Sequence, residues 1–157
     1  MGALLLTAGF VARAAGGRLV AGDPGAVFES VSTDTRAIAP GGLFIALRGE
    51  RFDGHAFAAD AVARGARGLL VSDAASLPAG AAVIEVDDTV SGLQRLAREI
   101  RRQSPARVVA ITGSVGKTTT KEIAADLLGS KYRVFRNRGN LNNHIGLPLS
   151  LLELRHE

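Results

Sequence analysis

The most constraining feature of the sequence is an apolar run that ends in a glycine loop, residues 107–118. The letters RVVAIT are almost entirely apolar, which is typical of a strand buried on both faces of a parallel sheet. GSVGKT follows, and KTTTKEIAADLLGS then repeats apolar residues with the spacing of a helix that Gly129 ends. Strand, glycine loop and helix in this order predict a βαβ unit, with YRVFR (residues 132–136) as its next strand.

The glycine loop has the chemistry of a phosphate site but not the usual length. The common form, G-x-x-x-x-G-K-[ST], needs a glycine at Ile111, whereas the first glycine here is Gly113. The shorter loop still turns the backbone N–H groups of residues 114–118 toward one point, and the helix start adds a dipole that favours an anion. Lys117 then lies against the outer phosphates of a nucleotide, and Thr118 is placed to ligate Mg²⁺. The alternative is a glycine turn that only caps a helix, and it leaves the Gly-Lys-Thr sequence unexplained.

Upstream of this unit, short apolar runs alternate with helical patterns. Thr7 caps a helix that Gly16 and Gly17 end. The remaining predicted strands are residues 27–31, 41–47, 68–72 and 81–86, and the remaining predicted helices are residues 53–66 and 90–102. We expect the chain to divide at its Asp87-Asp88 linker into two domains, residues 1–86 and residues 87–157. The predicted fold class is α/β, with a small mixed α/β domain followed by the start of a P-loop (Rossmann-like) domain with a parallel sheet.

Composition narrows the classes of function. With 46% hydrophobic and 22% charged residues, the chain is typical of a soluble globular protein. Zero cysteines exclude disulfides, thiolate metal sites and a cysteine nucleophile. The net charge of +4 is mild, and its densest arginine run, residues 95–107, lacks the interleaved aromatics of a nucleic-acid interface. The apolar N-terminus is better explained as a capped helix than as a leader. We therefore expect a cytoplasmic protein that binds no nucleic acid and does not insert into a membrane.

Three motifs, in order along the chain, resemble one enzyme family. TGSVGKT resembles the T-G-x-x-G-K-[TS] loop of the Mur ligases, the ATP-dependent amide-forming enzymes of peptidoglycan synthesis. Residues 32–66 resemble the segment with which the later ligases of that pathway hold the UDP-sugar end of their substrate. NRGNLNNHIGLPLSLL, residues 137–152, is similar to the member that adds D-alanyl-D-alanine to a UDP-N-acetylmuramoyl tripeptide. The sibling that adds the third amino acid usually has a Thr-Thr-Pro motif there, which this chain lacks.

The resemblance implies ATP and Mg²⁺ as cofactors. Lys117 and Thr118 are then the catalytic residues, and Thr118 is also the metal ligand. The implied nucleotide contacts are Thr112, Gly113, Ser114, Val115, Gly116, Lys117 and Thr118.

The polar turn at residues 32–36 is the first candidate substrate contact. Its hydroxyls and guanidinium suit a uracil edge, ribose hydroxyls and a diphosphate. From the residues alone, an internal contact between Asp34 and Arg36 is the stronger interpretation. With the resemblance, the expected contacts of the uridine diphosphate are Thr33, Thr35, Arg36, Glu50, Arg51 and Phe52. Asp53 and His55 are expected to be structural, because an aspartate before a helix is an ordinary cap and no second histidine lies nearby.

The asparagine-rich stretch is the second candidate substrate contact. Asparagine offers both a donor and an acceptor, which suits a sugar or peptide beside the γ-phosphate. The resemblance implies that Asn140, Asn142 and Asn143 approach the muramoyl end of the substrate. The alternative is a loop of left-handed turns before a helix with Pro148 in its first turn.

The reaction implied by the resemblance has two steps. A substrate carboxylate attacks the γ-phosphate of ATP to give an acyl phosphate, and an incoming amine then displaces phosphate. The protein contributes mostly positioning and charge stabilisation. The implied partners are UDP-N-acetylmuramoyl peptide and D-alanyl-D-alanine, and we expect the full-length enzyme to be a monomer.

The sequence ends at Glu157, where members of the family continue with further ligand-binding segments. We therefore expect a piece of a longer enzyme that binds UDP-substrate or phosphates weakly and does not ligate alone. Three alternatives stay open. They are the sibling ligase that adds the third amino acid, a P-loop kinase or hydrolase, and a non-catalytic fragment that binds UDP-sugar or nucleotide.

Overall fold

The computed structural model describes residues 5–49, 52–75, 77–137, 139 and 141–156. The strands are β1 (Leu6–Thr7), β2 (Arg18–Ala21), β3 (Val27–Phe28), β4 (Val31–Ser32), β5 (Leu43–Ile45), β6 (Arg48–Gly49), β7 (Phe52–Asp53), β8 (Gly68–Val71) and β9 (Ala82–Glu85). The helices are α1 (Ala8–Ala15), α2 (Ala58–Ala63), α3 (Thr89–Gln103), α4 (Lys117–Gly129) and α5 (Gly146–Leu152). Short 3₁₀ turns occupy Thr35–Ala37, Gly54–Phe57 and Glu153–His156.

One five-stranded sheet organises the chain. Its strand order is β2-β9-β8-β5-β4, in which β9, β8, β5 and β4 run parallel and β2 pairs antiparallel with β9. Two smaller antiparallel pairs, β1 with β3 and β6 with β7, lie outside it. The expected mixed α/β fold with a mainly parallel sheet is confirmed.

The inner strands of the sheet are apolar, and they are buried on both faces. Every residue of β5 and β8 is buried, as a near-continuous Leu, Val, Ile and Phe run predicts for parallel strands covered by helices. One face contributes Leu43, Ile45, Leu70 and Ile84 to a cluster with α1 and α3. The other face contributes Phe44, Leu69, Val71 and Val83 to a cluster with α2.

α1 and α3 begin and end close to where the sequence predicts, whereas the helix predicted at residues 53–66 is a 3₁₀ turn, Gly54–Phe57, followed by the short α2, Ala58–Ala63. The Thr7 hydroxyl accepts a hydrogen bond from the backbone N–H of Phe10 at 3.2 Å, and Gly16 ends α1 with a φ of 73°. The Asp88 carboxylate caps α3 through the N–H of Ser91 at 2.8 Å. The predicted face of α3, which includes Leu93 and Ile100, is buried. Among the described residues, no helix is both long and apolar enough to cross a membrane.

Two details near the N-terminus differ from the prediction. The single strand expected at residues 27–31 is two strands, because β3 pairs with β1 outside the main sheet while β4 continues into it. β2 was not predicted. Its RLVA sequence lacks clear alternation, and its pairing with β9 depends on residues more than sixty positions away.

The strands predicted at residues 107–112 and 132–136 are wrong, although α4 between them is confirmed. Val108 is 57% exposed and Val109 is 70% exposed, with no paired strand beside them in the part of the chain that the structure describes. A strand gains its stability from hydrogen bonds to neighbours, and the described chain supplies none here. For the same reason Ile123 and Leu127 on α4 are exposed.

The C-terminal helix α5 packs differently from α4. Leu152 is 3% exposed, and Leu154 in the 3₁₀ turn after α5 is 7% exposed. Both side chains belong to the hydrophobic cluster that contains residues of α1 and α3. Pro148 lies in the first turn of α5, as the sequence predicts. Residues from both ends of the chain therefore share one hydrophobic core.

Leu152→Ala should lower the free energy of unfolding by about 2–5 kcal/mol, because it removes buried methyl groups and leaves a cavity between α5 and α3. The matched control is Leu147→Ala on the same helix, where the side chain is 50% exposed, and it should cost roughly 1 kcal/mol or less. Urea unfolding of both variants followed by circular dichroism measures the difference. Equal effects of the two substitutions would show that α5 does not dock on the core.

Candidate functional site

Polar residues gather at one edge of the main sheet. β4, β5 and β8 are parallel, so the segments that follow them, residues 33–36, 46–49 and 72–73, lie at the same carboxyl edge. In open α/β sheets, ligands bind outside the carboxyl ends of the strands. The predicted substrate contacts Thr33, Thr35, Arg36 and Phe52 all belong to segments at this edge.

The turn after β4 is held by its own side chains. The Ser32 hydroxyl accepts from the N–H of Asp34 at 3.0 Å and donates to the Asp34 carbonyl at 2.9 Å. The guanidinium of Arg36 forms a two-pronged pair with the Asp34 carboxylate, with Nη2 to Oδ2 at 2.6 Å and Nε to Oδ1 at 2.9 Å. The internal contact that the residues alone favoured is therefore present.

This ion pair shifts the pKa of both groups. Hydrogen bonds from the Arg36 side chain, and then from its backbone N–H, lower the pKa of Asp34 to about 2. The same pair raises the pKa of Arg36. Both side chains are largely exposed, and a guanidinium has five N–H donors, so Arg36 retains donors for an anionic ligand.

The two threonines of the turn differ in exposure. Thr33 is half-buried, whereas Thr35 is 8% exposed. The Thr35 side chain is the main cause of the lowered pKa of the Asp60 carboxyl on α2, ahead of Arg64. Thr35 therefore joins the turn to α2, and its role as a ligand contact stays a prediction.

Beyond β5, the β6–β7 hairpin presents aromatic surface. Phe52 is 53% exposed and stacks on Phe57, with ring centroids 5.4 Å apart and planes 16° from parallel. Arg48 pairs with Asp53 across the hairpin at 2.8 Å. The predicted contacts Glu50 and Arg51 lie outside the described residues.

Asp53 and His55 have the structural partners that the sequence suggested. The Asp53 carboxylate accepts from the N–H of His55 at 3.0 Å and so caps the 3₁₀ turn. That bond, then Arg48, then the His55 ring hold the pKa of Asp53 well below its usual range. His55 Nε2 accepts from the N–H of Ser72 at 2.9 Å. Ser72 was missed, and its only sequence signal is a polar residue at the end of an apolar strand.

Two cavities border the sheet. The larger, about 680 Å³, lies at the amino end of β9 between Gly22, Arg67 and Pro78, away from every predicted contact. The smaller, about 520 Å³, lies at the carboxyl edge and is lined in part by Ser72 and Glu85. Neither cavity is lined by a predicted substrate contact.

The backbone of the glycine loop adopts conformations that favour glycine at two positions. Gly113 and Gly116 have φ values of 143° and 80°, which side chains rarely tolerate, and a Cβ at Gly116 would meet nothing within 4 Å. The need for glycine at Gly116 is therefore conformational and not steric. Gly116 precedes α4 without a side-chain cap, so the first N–H groups of α4 stay available.

The side chains of the loop are accessible. The predicted contacts Thr112, Gly113, Ser114, Gly116 and Thr118 are exposed, and Val115 is 93% exposed. The ammonium of Lys117 folds back onto the Gly113 carbonyl. The donor set fits a phosphate, whose oxygens can replace that carbonyl as the partner of Lys117.

A metal ion at this loop would have few protein ligands. Among the described residues, no cluster of three or more His, Cys, Asp or Glu side chains could hold one. Mg²⁺ usually keeps several waters and binds through one or two protein groups plus phosphates. The exposed Thr118 hydroxyl is therefore compatible with Mg²⁺ as a single protein ligand.

The asparagine-rich stretch is tied to its neighbours. Lys121 of α4 donates to the Asn137 carbonyl at 2.9 Å. The side-chain oxygen of Asn143 accepts from the N–H of Ile145 at 3.1 Å and of Gly146 at 2.7 Å, so it caps α5. Asn142 is exposed, and the predicted contact Asn140 lies outside the described residues.

The described backbone before α5 does not follow the alternative of left-handed turns at the asparagines. No described asparagine has a positive φ, and of the residues described between 137 and 145 only Gly139 does, at 53°. The side-chain cap of Asn143 stabilises the start of α5 without left-handed backbone.

An ion-pair network fixes the segment before this stretch to α4. Arg136 pairs with Glu122 at 2.6 Å and with Asp126 at 3.0 Å. A hydrogen bond from Lys121 is the main cause of the lowered pKa of Glu122, with Arg136 adding to it. These contacts hold residues 136–137 beside the helix that follows the glycine loop.

The pairing of Asp34 with Arg36 predicts a titration. The Asp34 carboxyl should titrate near pH 2, and Arg36→Ala should move the midpoint toward about 3.9. Because the pKa is lower in the folded than in the unfolded chain, the pair stabilises the fold above about pH 4 and that stabilisation is lost as pH falls toward 2. Carboxyl-carbon NMR measures the midpoint, with Arg107→Ala as the control. A midpoint unaffected by Arg36→Ala would contradict the pairing.

The cap on α5 predicts a second difference. Asn143→Ala should lower the free energy of unfolding by roughly 1 kcal/mol, because two N–H groups at the start of α5 lose their acceptor. Asn142→Ala, next to it and exposed, should change stability by about 0.5 kcal/mol or less. Thermal unfolding of the two variants separates the cap from the exposed amide, and an equal loss in both would contradict the capping role.

The comparisons with known proteins follow the order of these sites. Residues 27–101 match the family model described as Mur ligase family, catalytic domain, and residues 111–157 match the one described as Mur ligase middle domain. The UDP-N-acetylmuramoyl-tripeptide–D-alanyl-D-alanine ligase of Bacillus subtilis is 46% identical over 129 residues, which are 82% of this chain and 28% of that protein. The Escherichia coli enzyme of the same name is 47% identical over 129 residues, with the same coverage.

Solved structures are similar along the same region. A crystal structure of MurF from Acinetobacter baumannii gives a TM-score of 0.89 at 38% identity, over 100% of this chain and 34% of that chain. The crystal structure of MurF ligase from Thermotoga maritima in complex with ADP gives 0.69 at 38% identity, over 78% of this chain and 28% of that one. The chain thus spans about 28% of the length of the curated relatives named above.

Proposed function

This chain belongs to the Mur ligase family, and we propose that it is the portion of a peptidoglycan-precursor ligase that holds the UDP-substrate and the phosphates of ATP. The ligase joins D-alanyl-D-alanine to a UDP-N-acetylmuramoyl tripeptide in the cytoplasm. The observation that carries the proposal is the presence of two features in one chain. The first is the polar edge at the carboxyl ends of the parallel strands, and the second is the start of α4, which follows the glycine loop and has no side-chain cap. The names of the relatives support the choice of substrate.

In this proposal, residues 1–86 form the UDP-substrate domain, and residues 87–157 begin the ATP-binding domain. The polar turn after β4 and the β6–β7 hairpin then face the uridine diphosphate. The glycine loop faces the ATP phosphates, and Asn142 and the neighbouring asparagines approach the muramoyl end. The two matched family models follow one another along the chain, at residues 27–101 and then at residues 111–157.

Different residues of the loop stabilise different parts of the phosphate charge. The N–H groups of residues 114–118 donate to phosphate oxygens, and Lys117 exchanges the Gly113 carbonyl for the transferred phosphoryl group. Mg²⁺, when bound, supplies further positive charge beside those oxygens, with the Thr118 hydroxyl as a protein ligand. The helix dipole of α4 favours the same anion.

The residues of the sheet edge position the acceptor. Arg36 shares its donors between Asp34 and the diphosphate oxygens, since its guanidinium can satisfy two anions. Thr33 offers a half-buried hydroxyl, and the exposed ring of Phe52 offers a flat apolar surface to the base. The substrate carboxylate then attacks the γ-phosphate, and ADP leaves. The amine of D-alanyl-D-alanine next attacks the resulting acyl phosphate, loses a proton and expels inorganic phosphate as the amide forms.

Lys117→Ala tests the loop. In the 157-residue chain it should lower ATP affinity by roughly tenfold or more, because a charge-assisted contact to phosphate is lost. Affinity for the UDP-N-acetylmuramoyl tripeptide should not change. Lys131→Ala, an exposed lysine beyond the other end of α4, is the control and should leave both affinities unchanged. Isothermal titration with each ligand measures the four values.

Several results would overturn parts of the proposal. Equal ATP affinity in Lys117→Ala and the parent chain would reduce the loop to a helix cap. ATP binding without any binding of the UDP-muramoyl peptide would favour a P-loop kinase or hydrolase. A stronger response to the UDP-muramoyl dipeptide than to the tripeptide would favour the sibling ligase, since an enzyme that adds the third residue accepts a dipeptide.

A further inference from the structure

The β6–β7 hairpin needs an anchor to hold its aromatic surface in place. Each of its strands has two residues, and both strands are exposed. An isolated two-stranded hairpin is marginally stable in water. Yet Phe52, at the start of β7, stacks in one defined geometry on Phe57, which ends the 3₁₀ turn after β7. Their position relative to the sheet therefore depends on contacts that leave the hairpin.

Such a contact runs through His55. Its Nδ1 lies 2.6 Å from the Asp53 carboxylate, and its Nε2 lies 2.9 Å from the backbone nitrogen of Ser72. A backbone N–H can only donate, so Nε2 accepts and Nδ1 holds the proton that goes to Asp53. The Ser72 hydroxyl, 3.3 Å from Nε2, is a weaker second neighbour. The imidazole thus bridges the hairpin and the chain that follows β8.

The two ends of the bridge differ in rigidity. Ser72 directly follows β8, in which every residue is buried between two paired strands. Asp53 belongs to the exposed hairpin, where it also pairs with Arg48. The His55 side chain is 13% exposed, so the bridge lies mostly out of water, where its hydrogen bonds are stronger. Residues 17 positions apart are joined in this way.

We propose that His55 is a positioning residue: it fastens the hairpin to the carboxyl end of β8 and so fixes the Phe52–Phe57 ring pair at the substrate edge. This inference rests on the proposed function, because the ligand of that edge is taken to be the UDP-N-acetylmuramoyl tripeptide. A fixed ring pair raises affinity because its side chains need not be ordered on binding.

Two substitutions separate the bridge from the local turn. The side-chain amide of glutamine reaches the place of Nε2, so His55→Gln keeps an acceptor for Ser72. The amide of asparagine reaches only the place of Nδ1, so His55→Asn keeps a donor for Asp53 but loses Ser72. His144→Asn, at an exposed histidine before α5, is the matched control.

The experiment measures three quantities in the 157-residue chain: hydrogen exchange of the Ser72 amide, affinity for the UDP-N-acetylmuramoyl tripeptide, and affinity for ATP. His55→Asn should expose the Ser72 amide to exchange and lower the affinity for the UDP-ligand about tenfold. Its ATP affinity should not change. His55→Gln should restore both protection and affinity, and His144→Asn should match the parent chain.

Different results would contradict the role of His55 and the proposed function. Unchanged UDP-ligand affinity in His55→Asn, with the Ser72 amide exposed, overturns the positioning role alone. Absence of binding in the parent chain overturns the proposed function and the ligand assumed here. Should His55→Asn fail to fold, NMR of the parent chain decides. The ring signals of Phe52 and Phe57 must shift when the UDP-ligand is added, and unmoved signals overturn the inference.

Discussion

The parallel pairing of β4, β5, β8 and β9 is the constraint on which the rest of the structure depends. Parallel strands bring all their carboxyl ends to one edge, so the polar segments after β4, β5 and β8 meet although they are far apart in sequence. The same pairing buries both faces, which requires α1 and α3 on one side and α2 on the other. The polar carboxyl edge and the hydrophobic core are thus two consequences of one backbone arrangement.

The groups expected to bind ligand already have partners within the chain. Arg36 pairs with Asp34, Thr35 lowers the pKa of Asp60, and Lys117 contacts the Gly113 carbonyl. The contacts of Arg36 and Lys117 lie at the surface, where such contacts contribute little to stability and can be given up to a ligand. In the proposed function, binding is therefore an exchange of partners. Its net free energy is the difference between contacts to the ligand and contacts given up.

The two helices after the glycine loop show how strongly packing depends on available neighbours. α5 docks because α3 offers an apolar surface that Leu152 can cover. α4 leaves Ile123 and Leu127 exposed, and the apolar residues 108–111 form no strand. A buried parallel strand needs a pairing partner on its edges and cover on its faces, and a helix needs only one complementary face.

The sequence by itself determined the features that are built within a few residues. Thr7 and Asp88 cap their helices, Gly16 ends one, and the Gly-Lys-Thr start of α4 predicts the loop geometry. Tertiary structure alone decided the split between β3 and β4, the antiparallel edge strand β2, and the bridge from His55 to Ser72. A cap is satisfied by neighbours three residues away, so its pattern is visible in the sequence. A long-range hydrogen bond has no such pattern, because its partner becomes adjacent only after the sheet has formed.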